Sequence, residues 1–281
     1  MSEVAKKQIF SLHGKEFYYW TLGEKSNPWV LLIPGFTSTH SDLLPLGRVL
    51  REKYFVVIPD LPGWGKSPKL TSILTIENYT RFLHKLVNSL QVREISLVGY
   101  CFGAVVGLAY VLEFPEKIVT NIFINTPYLE GVPFNKIPFY FAEISQHIPK
   151  ILRPLFFLWR NRLSAAPFAF FHFHTRSLKR KLQYMLHSVR IQSTQNEQAV
   201  EQNWTSLAEF SFQKLQKIST PIHLIHSEND VLVPLAQAEK LLALFHHATL
   251  DIIPNAGHWV PAEKPHALGS LILKYLPLSS I

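Results

Sequence analysis

Residues 97–107 read LVGYCFGAVVG. An apolar run passes through Gly99-Tyr100-Cys101-Phe102-Gly103 into a string of small and branched residues, and Cys101 is the single cysteine of the chain. A glycine on each side of a central residue, between a strand-like and a helix-like segment, is the pattern of a nucleophile elbow. The turn is tight and the backbones on its two sides pack closely, which favours residues without a Cβ. Such a turn lifts the central side chain above the carboxyl edge of a sheet, at the N-terminus of the next helix. That helix end favours negative charge, so it suits both a thiolate and a developing oxyanion. The implied chemistry is attack by sulfur on an electrophilic carbon. The plain alternative is a small buried cysteine.

A strand and a helix must flank this turn, and the surrounding sequence supplies them in alternation. QIFSL and EFYYWTL, joined through His13-Gly14-Lys15, read as an opening hairpin. WVLLIPG (29–35) and YFVVIPD (54–60) are short, continuous apolar runs rich in β-branched residues, suited to strands buried on both faces. A helix is expected between them over 43–52. A second begins at Thr75, its N-cap, with Glu77 in the first turn and Ile76, Tyr79, Phe82, Leu83, Leu86 and Leu90 on one face. EISLVGY is the next strand, 102–113 the next helix, and VTNIFINTP another strand. Alternation then stops from about 128 to 217 and returns with PIHLIHS, PLAQAEKLLALF, ATLDIIP and PHALGSLILKYL. The expectation is an α/β fold, a doubly wound and mostly parallel sheet. Its core is residues 1–127 and 218–281, interrupted by a helical cap over 128–217.

The chain has 281 residues and a net charge of +8. No Asp or Glu lies between Glu143 and Glu197, where nine basic residues stand: Lys150, Arg153, Arg160, Arg162, Arg176, Lys179, Arg180, Lys181 and Arg190. Subtracting nine from +8 leaves the rest near −1, so the basicity belongs to one segment and not to the whole protein, and no nucleic-acid motif accompanies it. One cysteine forms no internal disulfide and fits a reducing compartment. The N-terminus MSEVAKKQIF has no secretory h-region, and no window offers about 20 uncharged apolar residues. The expected location is cytoplasmic. HFH at 172–174 could ligate a metal, but no third ligand is evident and cap packing is the better reading.

Four landmarks, in order, resemble the α/β-hydrolase family. These are LLIPGFTS (31–38) at the oxyanion turn, DLPGWGKS (60–67) after the next strand, HSENDVLVP (226–234) at the acid loop, and IPNAGHWVPAEKP (253–265) at the histidine loop. The resemblance covers nearly all of the chain outside the cap. It implies a triad of Cys101, Asp230 and His258 in the family's order of nucleophile, acid, histidine. In that reading His258 takes the thiol proton, or already holds it as an ion pair, and later protonates the leaving group, while Asp230 orients the imidazole and stabilises its charged form. The oxyanion hole would be the backbone N–H groups of Phe36 and Phe102. Glu228 is a rival acid. Asp60, Gly63, Gly65 and Ser67 read as a structural turn beside the pocket. The chain departs from the family pattern with cysteine in place of serine, Pro34-Gly35 in place of His-Gly, and Ser227 where glycine is usual.

A thiolate is a better leaving group than an alkoxide, so a tetrahedral intermediate on an ordinary alkyl ester tends to collapse backward. Thioesters, aryl or enol esters and strained lactones carry better leaving groups, whereas amides do not. The expected function is an esterase, lactonase or thioesterase acting on such a small-molecule substrate, with no cofactor and no metal. GYCFG also resembles the elbow of dienelactone hydrolases, and polyhydroxyalkanoate synthases share a G-x-C-x-G elbow. An acyltransferase is therefore the first alternative and a non-catalytic binding protein the second. In PLFFLWRNRLSAAPFAFFHFH (154–174) aromatics combine with Arg160 and Arg162. Three readings stay open there: a hydrophobic pocket with a basic rim for an anionic group, a surface making weak contact with an acidic membrane, or plain cap packing.

Overall fold

The computed structural model describes residues 5–36, 38–130, 182 and 197–277, and helices are numbered in chain order over these residues. β1 (Lys6–Leu12) and β2 (Lys15–Leu22) form the opening hairpin. His13 and Gly14 turn it with φ of 49° and 72°, the mirror-image geometry that matches strand twist. β3 (Trp29–Ile33), β4 (Phe55–Pro59), β5 (Ile95–Tyr100), β6 (Ile118–Ile124), β7 (Ile222–Ser227) and β8 (Ala248–Ile253) follow. The sheet order is β1-β2-β4-β3-β5-β6-β7-β8, parallel from β4 across to β8 and antiparallel at β1, β2 and the β2–β4 pair.

Alternate residues of the apolar runs serve two cores. Val30, Leu32, Val56, Ile58, Val98, Ile122 and Ile124 pack with Leu43, Leu46 and Leu50 of α1 (His40–Leu50) and with Leu268 and Ile272 of the C-terminal helix (Pro265–Tyr275). Leu31, Ile33, Val57, Leu97 and Phe123 pack on the other face, against α2 (Ile76–Ser89) and α3 (Phe102–Glu113). Burial on both faces is why these strands read as continuous apolar runs and not as alternating ones.

Thr75 caps α2, accepting the Asn78 N–H at 3.2 Å, as its sequence implies. α1 begins three residues earlier than the expected 43, because Thr39 and Asp42 form a reciprocal capping box in which Asp42 Oδ2 accepts the Thr39 N–H at 3.0 Å. Pro45 lies inside this helix.

Most of the expected cap lies outside the described residues, including the HFH tract and the arginine-rich stretch. Its exit is described: α4 (Glu197–Glu209), then a 3-10 turn over Phe212–Lys217 whose Phe212 and Leu215 enter the core beside α3. α4 lies over the start of α2. Gln202 Oε1 accepts the Leu74 N–H at 3.0 Å, and Ser206 Oγ accepts the Ile76 N–H at 2.8 Å. The first N–H of α2 and one just before its N-cap thereby find acceptors one turn apart on a neighbouring helix.

Candidate active site

The strand order reverses at β3, which has β4 on one side and β5 on the other. In an open α/β sheet, the carboxyl ends of the strands at such a switch point border a crevice. Pro34-Gly35-Phe36 leaves β3 there and Cys101 leaves β5.

Cys101 occupies φ 52°, ψ −120°, a conformation in which a side chain is strained, and is the N-cap of α3. Its N–H donates to Ile124 O at 2.9 Å and its carbonyl accepts the Ala104 N–H at 2.9 Å, so neighbouring backbone fixes the turn from both sides. The flanking glycines are required by close approach. A Cβ on Gly99 would lie 2.6 Å from Ala104 Cα, and one on Gly103 would lie 2.3 Å from Pro34 O and 2.4 Å from Ile33 O. The Gly103 contact holds the first turn of α3 against the chain leaving β3, the two segments that carry Phe102 and Phe36. As the first residue of α3, Phe102 has an N–H without an intrahelical acceptor. The half-buried Phe36 ring packs on Phe102, Trp64 and Trp204, with centroids 6.0, 5.9 and 4.7 Å away.

His258 and Asp230, both 5 % exposed, arrive on the loops after β8 and β7. His258 Nδ1 lies 2.7 Å from Asp230 Oδ2. The other carboxylate oxygen accepts the Leu232 and Val233 N–H groups, each at 2.9 Å. A buried carboxylate with all these donors is held to a single orientation. Below it, the buried His226 donates from Nε2 to Val233 O at 2.8 Å; burial lowers its pKa and keeps it neutral. Burial also works against the His258 imidazolium. The Asp230 charge, then the Cys101 sulfur, with hydrogen bonds from the ring to both, outweigh it and raise the pKa to about 10. With Nδ1 turned to Asp230, Nε2 is the nitrogen that faces Cys101. Of the five residues expected from sequence, Cys101, His258 and Asp230 are brought together, and Phe36 and Phe102 flank the elbow.

Glu228 is engaged elsewhere, accepting the Asn255 N–H at 2.7 Å in an exposed setting. The 60–67 turn is more than a plain bend. Asp60 is fully buried and accepts from the N–H and Nδ1 of His40, at 2.8 and 2.9 Å, and from the Lys66 N–H at 2.9 Å. His40 stacks on Trp20 with centroids 3.3 Å apart. Ser67 Oγ accepts the Tyr18 N–H, tying the turn to β2. Sequence reasoning did not anticipate His40, nor two residues around His258. Asn125 Nδ2 donates to His258 O at 2.9 Å, and Tyr100 Oη donates to the same carbonyl at 2.9 Å. The only local signal for Asn125 is its place just past the apolar run of β6.

A mostly parallel sheet, a tight glycine-flanked turn after its fifth strand, and a histidine–carboxylate pair on the loops after its last two strands define a class of protein. Residues 28–265 match the family model for the α/β-hydrolase fold, and the chain belongs to that family. Over 98 % of its length and 100 % of the relative, it is 23 % identical to the uncharacterized hydrolase YugF of Bacillus subtilis. It is 25 % identical to the 2-hydroxy-6-oxononadienedioate/2-hydroxy-6-oxononatrienedioate hydrolase of Klebsiella pneumoniae, over 86 % of this chain and 83 % of that one. A hydrolase structure from Pseudomonas aeruginosa superposes with a TM-score of 0.79 at 18 % identity, covering 95 % of this chain and 97 % of that one, a likeness of fold. Among the described residues no helix is long and apolar enough to cross a membrane.

Proposed function

We propose that this protein hydrolyses an activated carboxylic ester, lactone or thioester through an acyl-cysteine intermediate. One observation carries the reading: Cys101 sits in the strained elbow, near enough to His258 to help raise the pKa of its imidazole, and His258 Nδ1 is held 2.7 Å from a buried Asp230. The Cys101 sulfur attacks the carbonyl carbon with its proton already resting on His258, whose raised pKa keeps the imidazole charged. The oxyanion takes the N–H groups of Phe36 and Phe102. Collapse expels the leaving oxygen or sulfur, which receives the proton from His258. Water, deprotonated by His258, then attacks the thioester, and the Cys101 thiol is restored with release of the acid. Asp230 keeps the imidazole oriented and stabilises its charged form throughout.

The relatives are named as hydrolases, which supports water as the acceptor. Cysteine at the elbow favours one other reading, acyl transfer, because a thioester is readily attacked by alcohols, amines and thiols. The test is intact-mass spectrometry during turnover of p-nitrophenyl acetate, with wild type beside Cys101→Ala. A burst of nitrophenolate with an acetyl group on the wild-type chain alone is expected. Added acceptors then report transfer if acylated acceptor replaces acetate as the product. Equal turnover by the Cys101→Ala variant would refute the reading, and binding of esters without any adduct would point to a pocket that only binds.

A further inference from the structure

Asn125 is fully buried one residue past the end of β6, at φ 47°, and the three hydrogen bonds of its amide are directed at Ser227 and His258, on the segments that carry Asp230 and His258. Nδ2 donates to His258 O at 2.9 Å and to Ser227 Oγ at 3.0 Å; Oδ1 accepts the Ser227 N–H at 2.8 Å. The partners fix the amide orientation: a flipped group would set its oxygen against a carbonyl and its nitrogen against an N–H. Ser227 opens the acid loop, and its carbonyl accepts the Asp230 N–H at 3.2 Å. One side chain just past β6 thus joins the base of the acid loop to the backbone of the histidine.

Tyr100 reaches the same carbonyl from β5. Burial first, then the neighbouring Cys101, Asp230, Asp42 and Glu263 charges, raise the phenol well above its ordinary pKa, so it remains an O–H donor. The His258 carbonyl therefore takes two donors, from strands either side of the elbow. A backbone held at this point leaves the imidazole little freedom beyond rotation of its side chain, and the Nδ1–Asp230 contact removes that rotation.

We infer that Asn125, seconded by Tyr100, is a positioning residue for catalysis. It acts through the His258 backbone and Ser227 to keep the imidazole in register with both Asp230 and Cys101. This inference rests on the proposed role of His258 as the proton carrier. It also accounts for Ser227 where the family usually has glycine, since the serine hydroxyl is the third partner of the Asn125 amide.

The test compares Asn125→Gly with Asn121→Ala. Glycine accepts φ 47° without strain, so the first variant removes the amide and keeps the turn. Asn121 is also buried, in the middle of β6, donating to Thr220 Oγ1 and Pro221 O at 3.0 and 3.2 Å. Its loss costs stability without touching the His258 carbonyl. A displacement of about 1 Å in a reacting group can cost roughly 100-fold, so Asn125→Gly should lose about 10- to 100-fold in kcat on p-nitrophenyl acetate with KM within about twofold. Tyr100→Phe should lose less and be less than additive with it. By proton NMR, the far-downfield His258 Nδ1–H resonance of the Asp230 contact should shift or broaden in Asn125→Gly and stay in place in Asn121→Ala. An unchanged resonance, or kcat losses equal in the two asparagine variants, would overturn the inference. Cys101→Ala in parallel separates the two readings: if it stays active the nucleophile assignment fails, while the resonance still decides whether Asn125 holds the histidine. Should Asn125→Gly not fold, Tyr100→Phe carries the same two readouts.

Discussion

The strain at Cys101 makes a prediction with an unusual sign. At φ 52°, ψ −120°, a residue with a Cβ is held where glycine is at ease. Such strain costs on the order of 1–3 kcal/mol. Cys101→Ala and Cys101→Gly both remove the sulfur and its contact with His258, so their difference isolates the Cβ. Replacing alanine by glycine at 101 relieves ~2 kcal/mol of strain, taking the middle of that range. Against this, the more flexible unfolded chain costs ~0.7 kcal/mol, and exposure of part of a methyl group a few tenths more. The glycine variant should therefore be the more stable by ~1 kcal/mol, whereas in a helix or strand interior glycine is worse than alanine by ~0.5–1 kcal/mol. For a chain of this size the difference is roughly 2 °C in Tm. Urea unfolding of the two variants, followed by circular dichroism with a shared m-value, measures it directly. An alanine variant as stable as the glycine variant would refute the claim that the elbow stores strain at Cys101.

Asp230→Asn removes the charge that raises the His258 pKa and should lower kcat on the order of 10⁴-fold, read in a nitrophenolate assay. The same change alters stability against pH. His258 titrates near 6.5 when unfolded and at about 10 when folded, so the unfolded state binds fewer protons between these values. The stabilisation is complete below about pH 6.5 and is lost as pH rises towards 10, so the wild-type advantage over Asp230→Asn should shrink across that window. A constant gap in urea unfolding at pH 6, 8 and 10 would contradict this. In Gly103→Ala the added Cβ meets backbone oxygens 2.3 and 2.4 Å away. Overpacking of this kind costs ~1–3 kcal/mol, and here it also wedges α3 from the chain after β3. Both Tm and turnover should fall, and the idea fails if turnover alone is spared. Ser206→Ala leaves the buried Ile76 N–H without its acceptor and should cost ~1–3 kcal/mol in chemical denaturation, while turnover of p-nitrophenyl acetate stays near wild type.

What could be read from sequence was what neighbours along the chain decide. The strands announced themselves as apolar runs, α2 by Thr75 and its periodic face, and the elbow by Gly99 and Gly103 about Cys101. The loops bearing Asp230 and His258 were found through a family resemblance, not through local pattern. α1 starts three residues before the expected 43 because the Thr39–Asp42 capping box sets its first turn. Tertiary structure alone decided how the site is held. Asn125 and Tyr100 meet the His258 carbonyl across 133 and 158 residues, and His40 meets Asp60 across 20. Hydrogen bonds of that span leave no periodicity, because each depends on where two strands end relative to one another. The glycine-flanked turn at Cys101 is written locally; the backbone around it is assembled only when β5, β6 and β7 lie side by side and bury their polar ends together.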